Sequence, residues 1–165
     1  MKREPGFTLV ELTIVIAGII VLLAIAVPVL NTVSSQYRVT LAAQSIASQL
    51  HYARMKSVAS NESFQVDFPS GQNYYQAEDG SGNVIAGPFY LPHGISWNSS
   101  DDGNDVTFPG RHVTFLPTGN IPASGSGSAG RAKIISQTGV RIDIVVSAGG
   151  MIRQTAPYTS PPAPF

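Results

Sequence analysis

From Leu12 to Leu30 the chain reads LTIVIAGIIVLLAIAVPVL, 19 residues without a charge, and the next charged side chain after Glu11 is Arg38. A helix rises about 1.5 Å per residue, so this run spans close to the about 30 Å thickness of a bilayer core. Beyond it the pattern turns amphipathic. Val39, Ala43, Ile46, Leu50 and Ala53 step by three or four along one helical face, while Arg38, Gln44, Ser48, Gln49 and Arg54 lie off that stripe. The spacing predicts one helix from about Phe7 to about Ser60, about 80 Å long if straight, with Gly18 and Pro28 as its weak points. A kink or local melting is expected near the proline, which removes a ladder hydrogen bond and clashes with the preceding turn.

After residue 60 the period shortens. Phe64, Val66 and Phe68 alternate with Gln65 and Asp67, then Pro69–Gln72 turns the chain into an extended run at Asn73–Ala77. Asp79–Asn83 is a second turn, followed by short apolar runs at Val84–Ile85 and Phe89–Leu91. Val113 and Phe115 make a further strand. Val140, Ile142, Ile144 and Val146 alternate with Arg141 and Asp143, and Gly149–Gly150 breaks the pattern before Met151–Arg153. Short strands with frequent turns predict an α+β fold, a long N-terminal transmembrane and amphipathic helix packed against a C-terminal antiparallel, β-sandwich-like sheet domain. Ser124–Gly130 reads as a flexible surface loop and residues 157–165 as a disordered tail.

Charge changes this picture at one position first. Glu11 is an acid at the edge of the apolar run, where an acidic side chain costs up to about 3 kcal/mol, so it calls for a partner. Lys2 and Arg3 keep the preceding end cytoplasmic. A secretory signal would put its small-residue cleavage site after the apolar region. Ala24, Ala26 and Pro28 lie late in that region, yet it continues directly into the helical pattern, so an uncleaved single-pass anchor and a cleaved segment both remain open.

Lys2-Arg3 followed by Gly6-Phe7-Thr8-Leu9-Val10-Glu11-Leu12 resembles the class III leader of type IV prepilins and type II secretion pseudopilins. The resemblance implies cleavage of a leader, residues 1–6, by an inner-membrane prepilin peptidase between Gly6 and Phe7, and N-methylation of Phe7. It also implies that Glu11 pairs with the terminal amine of a neighbouring subunit, chiefly as a register device, because desolvation offsets much of the attraction. Residues 7–30 would then be the membrane or filament-core helix, 31–60 its amphipathic continuation and 61–156 the globular domain of a pilin fold. Such filaments are held to loosen the helix near the proline on assembly.

The later sequence is similar to the GspH/FimT group of minor pilins and pseudopilins. Phe115-Leu116-Pro117-Thr118-Gly119 resembles that group's F-x-x-x-G element, Gly149–Arg153 its glycine-rich basic closing strand, and Leu50, Ala53, Arg54 and Ser57 its L-x-x-A-R-x-x-A region, with Ser57 in place of the usual alanine. Phe115 and Gly119 are read as structural, one filling core and the other permitting a tight turn.

The chain has 165 residues, no cysteine and a formal charge of zero. No disulfide framework or thiolate metal site is available. The charges are segregated along the sequence. Seven acids and no Lys or Arg fall between Glu62 and Asp105, whereas five bases stand against Asp143 from Val106 onward. Solvated surface explains this, and a bipolar domain with two kinds of partner is the sharper alternative.

Enzyme chemistry is not legible, and no cofactor is expected. His51, His93 and His112 are isolated, and H-E-x-x-H and G-x-S-x-G do not occur. Gly125–Ala132 spaces its glycines like a P-loop, but Arg131 and Ala132 replace the Lys and hydroxyl residue that phosphate and Mg²⁺ require. Asp101–Asp105 lacks EF-hand spacing and reads as an acidic loop. Arg131, Lys133, Arg141 and Arg153 could share a sheet face, and some FimT-like proteins take up DNA through a basic G-R-x-R element. Here Lys133 replaces its second arginine, or Met151 its first, and there is no basic excess.

The sequence therefore predicts a non-catalytic filament subunit in the bacterial inner membrane, single-pass, its domain in the periplasm or displayed on an extracellular filament. Its expected partners are other pilins or pseudopilins through the N-terminal helix, the prepilin peptidase, the membrane, and secreted substrate proteins or DNA. The first expectation is a minor pseudopilin of a type II secretion system that helps export folded proteins. The alternatives are a FimT-like minor type IV pilin that primes assembly or binds DNA, and a membrane-anchored binding domain whose leader is never processed.

Overall fold

The computed structural model describes residues 8–98 and 105–159, and for residues 27–32 the backbone alone. Gly6 and Phe7, the loop residues 101–104 and the end of the predicted tail lie outside the described residues. The chain divides into two compact units, Met1–Ser34 and Ser35–Phe165. One α-helix, α1, covers Leu9–Ser60. Its backbone is helical through Gly18 and Pro28, so the melting anticipated at the proline is not a property of the single chain.

In the first unit, Thr8 caps α1. Its Oγ1 accepts the Glu11 N–H at 3.2 Å, and its carbonyl accepts the Leu12 N–H at 3.2 Å. Thr8-x-x-Glu11 is a capping-box sequence, a local signal additional to the leader motif. Every side chain described from Leu9 to Ala26 is exposed.

In the second unit the predicted stripe is the buried one. Val39, Ala42, Ala43, Ile46, Leu50 and Ala53 enter the core, each of the larger side chains contributing about 1.5–3 kcal/mol by burial. They meet two four-stranded antiparallel sheets rather than one. The first has the order β3-β2-β1-β5, with β1 Phe64–Asp67, β2 Tyr74–Asp79, β3 Val84–Tyr90 and β5 His112–Phe115. The second is β4-β6-β7-β8, with β4 Ile95–Trp97, β6 Gly130–Ser136, β7 Arg141–Val146 and β8 Ile152–Gln154. The chain enters the second sheet at β4, returns to the first through a 3₁₀ turn at Pro109–Arg111, and leaves again at β6. The two apolar runs predicted around Gly87 are one strand, β3, an edge strand that contains Pro88 and meets β2 through two register shifts.

Aromatic side chains tie these layers together. Phe68, just after β1, stacks on Phe108 at 5.7 Å between ring centres and meets the edge of Trp97 on β4 at 5.5 Å. Tyr75 on β2 packs on Phe89 and shares a 2.8 Å hydrogen bond with Ser45 of α1. Such pairs add about 0.5–1.5 kcal/mol beyond burial.

Two segments predicted to be loose are held. Gly127 donates its N–H to Pro109 and accepts that of Thr114, so the Ser124–Gly130 segment is laid along the outer edge of β5. Tyr158, inside the predicted tail, forms a bridge with Arg141 and donates its hydroxyl to Asp143 Oδ1 at 2.7 Å. Composition hid both, because backbone pairing does not depend on apolar side chains.

Candidate functional site

The elements that carried the family resemblance in the domain converge on one latch. Leu50 and Ala53 are buried on α1 two turns and one turn before Ser57, which is also fully buried. The Ser57 hydroxyl lies 2.7 Å from the Arg54 carbonyl and 3.1 Å from the Leu116 carbonyl, fastening helix to turn. Arg54 Nε donates to the Gly119 carbonyl at 2.8 Å. Gly119 has φ +76° and Gly150 φ +72°. A Cβ at Gly119 would stand 3.2 Å from Val58 Cγ2, and one at Gly150 would overlap the Gly119 carbonyl oxygen. Phe115 is fully buried at the end of β5, opposite Phe64. The helix, the Leu116–Asn120 turn and the Gly149–Gly150 turn are thus locked by backbone approach, which requires glycine at both positive-φ positions. Sequence spacing did not reveal the Arg54 clamp, because its acceptor lies 65 residues away.

Glu11 belongs to the first turn of a capped helix. Its carboxylate sits where the helix dipole favours negative charge, worth about 0.3–1 kcal/mol, so part of its cost is offset within its own chain.

The outward face of the second part of α1 carries Tyr37, Leu41, Gln44, Ser48, Tyr52 and Met55, all exposed and none charged. Met55 is 66% exposed and lines a groove of about 390 Å³ with His51, Arg54, Val58 and Ala59.

The four candidate basic residues do share one face. In β6 and β7 the alternate residues Ala132, Ile134, Ile142 and Ile144 are buried, which turns Arg131, Lys133 and Arg141 to the other side. Arg131 pairs with Val145, and Val145 with Arg153, making a row across three strands. The four are not equally presented. Lys133 is 3% exposed opposite Asp143, which is itself 4% exposed, and Arg141 is half-buried. Arg131 is half exposed, with NH1 3.6 Å from Asp143 Oδ2. Arg153 is exposed, its Nε 3.1 Å from Met151 Sδ. Beside this row an open groove of about 560 Å³ is lined by Thr107, Ala129, Gly130, Arg131, Val145, Val146 and Ser147.

On the side of the first sheet away from the core stand Asp67 of β1, Glu78 of β2 and His112 of β5, with Glu78 only 9% exposed. Burial, and then the neighbouring Glu78 carboxylate, push the Asp67 carboxyl above its usual range, against lowering by His112, the Phe68 N–H and Arg111. Glu78 accepts amide hydrogens from Gln65 and Gln76, both at 2.7 Å. Asp105, in the stretch weighed for calcium, is committed elsewhere. The Arg111 guanidinium binds both its oxygens, at 2.6 and 3.0 Å, and holds its carboxyl below the usual range.

His51 and His93 are exposed. His112 Nε2 lies 3.2 Å from Ser126 Oγ, but Nδ1 faces the Gly110 carbonyl at 3.1 Å, not the carboxylate that would orient a nucleophile's base. Among the described residues no three His, Asp or Glu side chains converge as a metal site.

A profile of the family described as Type II transport protein GspH matches residues 42–150. No protein of curated function matches the sequence. Among solved structures, the type IV minor pilin FimU of Pseudomonas aeruginosa aligns with a TM-score of 0.53 and 15% identity, covering 72% of this chain and 88% of FimU. The minor pseudopilin EpsH from the Type 2 Secretion System of Vibrio cholerae aligns with a TM-score of 0.52 and 11% identity, covering 72% of this chain and 97% of EpsH. At these identities the likeness is one of fold, and the fold is that of a pilin.

Proposed function

Because the chain belongs to the GspH family, we propose that it serves as a minor pseudopilin of a type II secretion system, one subunit of a short filament that helps move folded proteins outward. Membership already makes it a minor pilin or pseudopilin of the type IV pilin class. The family's description as a type II transport protein favours secretion over a pilus.

One observation carries the assembly reading. The window Leu9–Ala26 has a mean hydropathy of 2.8 and is wholly unburied within its own chain. Such a surface needs lipid before assembly and other subunits after it. The uncharged outward stripe of α1 from Tyr37 to Met55 extends the surface suited to helix packing. In this reading the prepilin peptidase cuts between Gly6 and Phe7, Phe7 is N-methylated, and the new amine of one subunit supplies the cation that Glu11 of another lacks.

Mass spectrometry of the mature chain tests the processing and should find methyl-Phe7 at the N-terminus. An intact Met1 leader on assembled protein would overturn it. Glu11→Ala should be processed normally yet enter filaments about tenfold less, the equivalent of about 1.4 kcal/mol. Equal entry would remove the role assigned to Glu11. Deleting the gene should impair enzyme export; loss of twitching with export intact would make the protein a minor pilin of a type IV pilus instead.

A further inference from the structure

Where α1 meets the first sheet a groove of about 230 Å³ opens, lined by Leu41 and Ser45 of the helix and by Tyr75, Tyr90, Leu91 and Pro92. No charged side chain lines it. Its walls are already fixed. Ser45 and the Tyr75 hydroxyl share a 2.8 Å hydrogen bond, and the Tyr90 ring stands against Tyr74 at 5.5 Å between centres. Tyr90 is nevertheless 71% exposed and Leu41 43%. The groove is thus an uncharged, aromatic surface held in shape with its rings open to solvent.

The C-terminal segment leaves the second sheet beside this groove. Tyr158 pairs with Arg141, Arg141 with Ile135 and Ile135 with Ser96, one row across the sheet. Strands lie about 4.8 Å apart, so the row spans about 14 Å. Tyr158 runs antiparallel to β7 and passes its start, the same end of the sheet at which the chain enters β4. At that end Gln137 donates its N–H to the Gly94 carbonyl at 3.0 Å, and Pro92 accepts that of Ile95 at 3.0 Å. Residues 160–165, Ser-Pro-Pro-Ala-Pro-Phe, follow and lie beyond the described residues. Six residues of polyproline II, at about 3.1 Å each, span about 19 Å, enough to reach Pro92 without unpairing Tyr158.

We propose that Pro161–Phe165 of this same chain docks in the groove. Proline-rich segments bind aromatic grooves because their polyproline II form is set in advance and loses little entropy. Pro161 and Pro164 stand three apart, on one side of a helix with three residues per turn. The segment is as free of charge as the groove. Its tether at Tyr158 raises its local concentration to about the millimolar range, so a weak site suffices, an advantage no separate chain has. Docked there, it covers Leu41, so the segment and a neighbouring helix exclude each other at that point of the outward stripe.

Disulfide trapping in the full chain, held in detergent micelles, tests the proposal, since the natural sequence has no cysteine. Leu41→Cys with Ala163→Cys should close within one chain about tenfold faster than Met55→Cys with Ala163→Cys, whose helical site lies about 21 Å farther along α1. Tyr90→Ala should slow the first pair about tenfold, and Tyr90→Phe should leave its rate unchanged. Thermal unfolding of the Tyr90→Ala protein shows whether the domain itself is intact. Pro161→Ala with Pro164→Ala, outside the folded domain, should slow the reaction as well, which damage to the fold would not explain.

Equal rates at Leu41→Cys and Met55→Cys would overturn the proposal, as would a rate that ignores both Tyr90→Ala and the paired proline substitutions. A disulfide formed chiefly between chains would overturn it too, by giving the groove to a second copy. None of these outcomes bears on the entry of Glu11→Ala into filaments, so the subunit reading stands or falls separately.

Discussion

One helix supplies two opposite surfaces. From Leu9 to Ala26 every side chain is exposed, although the segment is more apolar than anything else in the chain. From Val39 to Ser57 one stripe is buried down to fully enclosed Ile46, Leu50 and Ala53, although the segment carries charges and amides on its other sides. The comparison separates hydrophobicity from burial. Burial within a chain requires a facing layer, and the two sheets supply it to the second part of the helix. The first part has the stronger hydrophobic drive and must satisfy it with lipid or other chains.

The same truncation made in both parts is the most direct way to break this comparison. Leu50→Ala should lower the unfolding free energy of the domain by about 2–5 kcal/mol in a denaturant titration, whereas Leu22→Ala should leave that transition unmoved. A shift of the domain transition by Leu22→Ala would mean that the first part is buried in its own chain after all.

The latch gives the next largest effect. Gly150→Ala combines positive φ with overlap on the Gly119 carbonyl and should cost about 2–3 kcal/mol, more than Gly119→Ala, whose nearest contact is a valine methyl group able to shift. Equal losses would show that backbone conformation, not close approach, sets the cost. Ser57→Ala should lose only about 1 kcal/mol, the worth of its hydroxyl bonds.

Two carboxylates sharpen the picture through pH, with opposite signs. Asp67 has its folded pKa raised, so between 3.8 and that higher value the folded state holds more protons and stability falls as pH rises. Asp67→Asn should therefore stabilise the domain near neutral pH, with the gain vanishing below pH 3.8. Asp105 has its folded pKa lowered by Arg111, so its contribution is present above 3.8 and is lost as pH falls through the lower folded value. Asp105→Asn should destabilise near neutral pH by about 1–2 kcal/mol and lose its effect in acid. Thermal unfolding at a series of pH values reads both.

Legibility followed the range of the interactions involved. The helix and its buried stripe could be read because their period is local, as could β1 and β7, whose inward residues alternate with polar ones. β4 was missed because three residues, Ile95–Trp97, are too few to show a period. β6 was missed because Lys133, which spacing turns outward, is buried opposite Asp143 of the neighbouring strand β7. The latch was visible only as separate motifs. That Arg54, Gly119 and Gly150 meet is decided by chain topology, which no local pattern encodes. For the basic face, alternation gave the common side but not the accessibility, since Tyr158 and Asp143 lie beyond the range of any periodic signal.

The outer strand β3 bears on the life of such a subunit before it assembles. Pro88 offers no N–H to an incoming strand, and the two register shifts against β2 bend the flank away from flatness. A chain that already exposes an apolar helix segment, Leu9–Ala26, is better served by a sheet edge that resists pairing. The proline makes β3 a poor template for amyloid-like stacking.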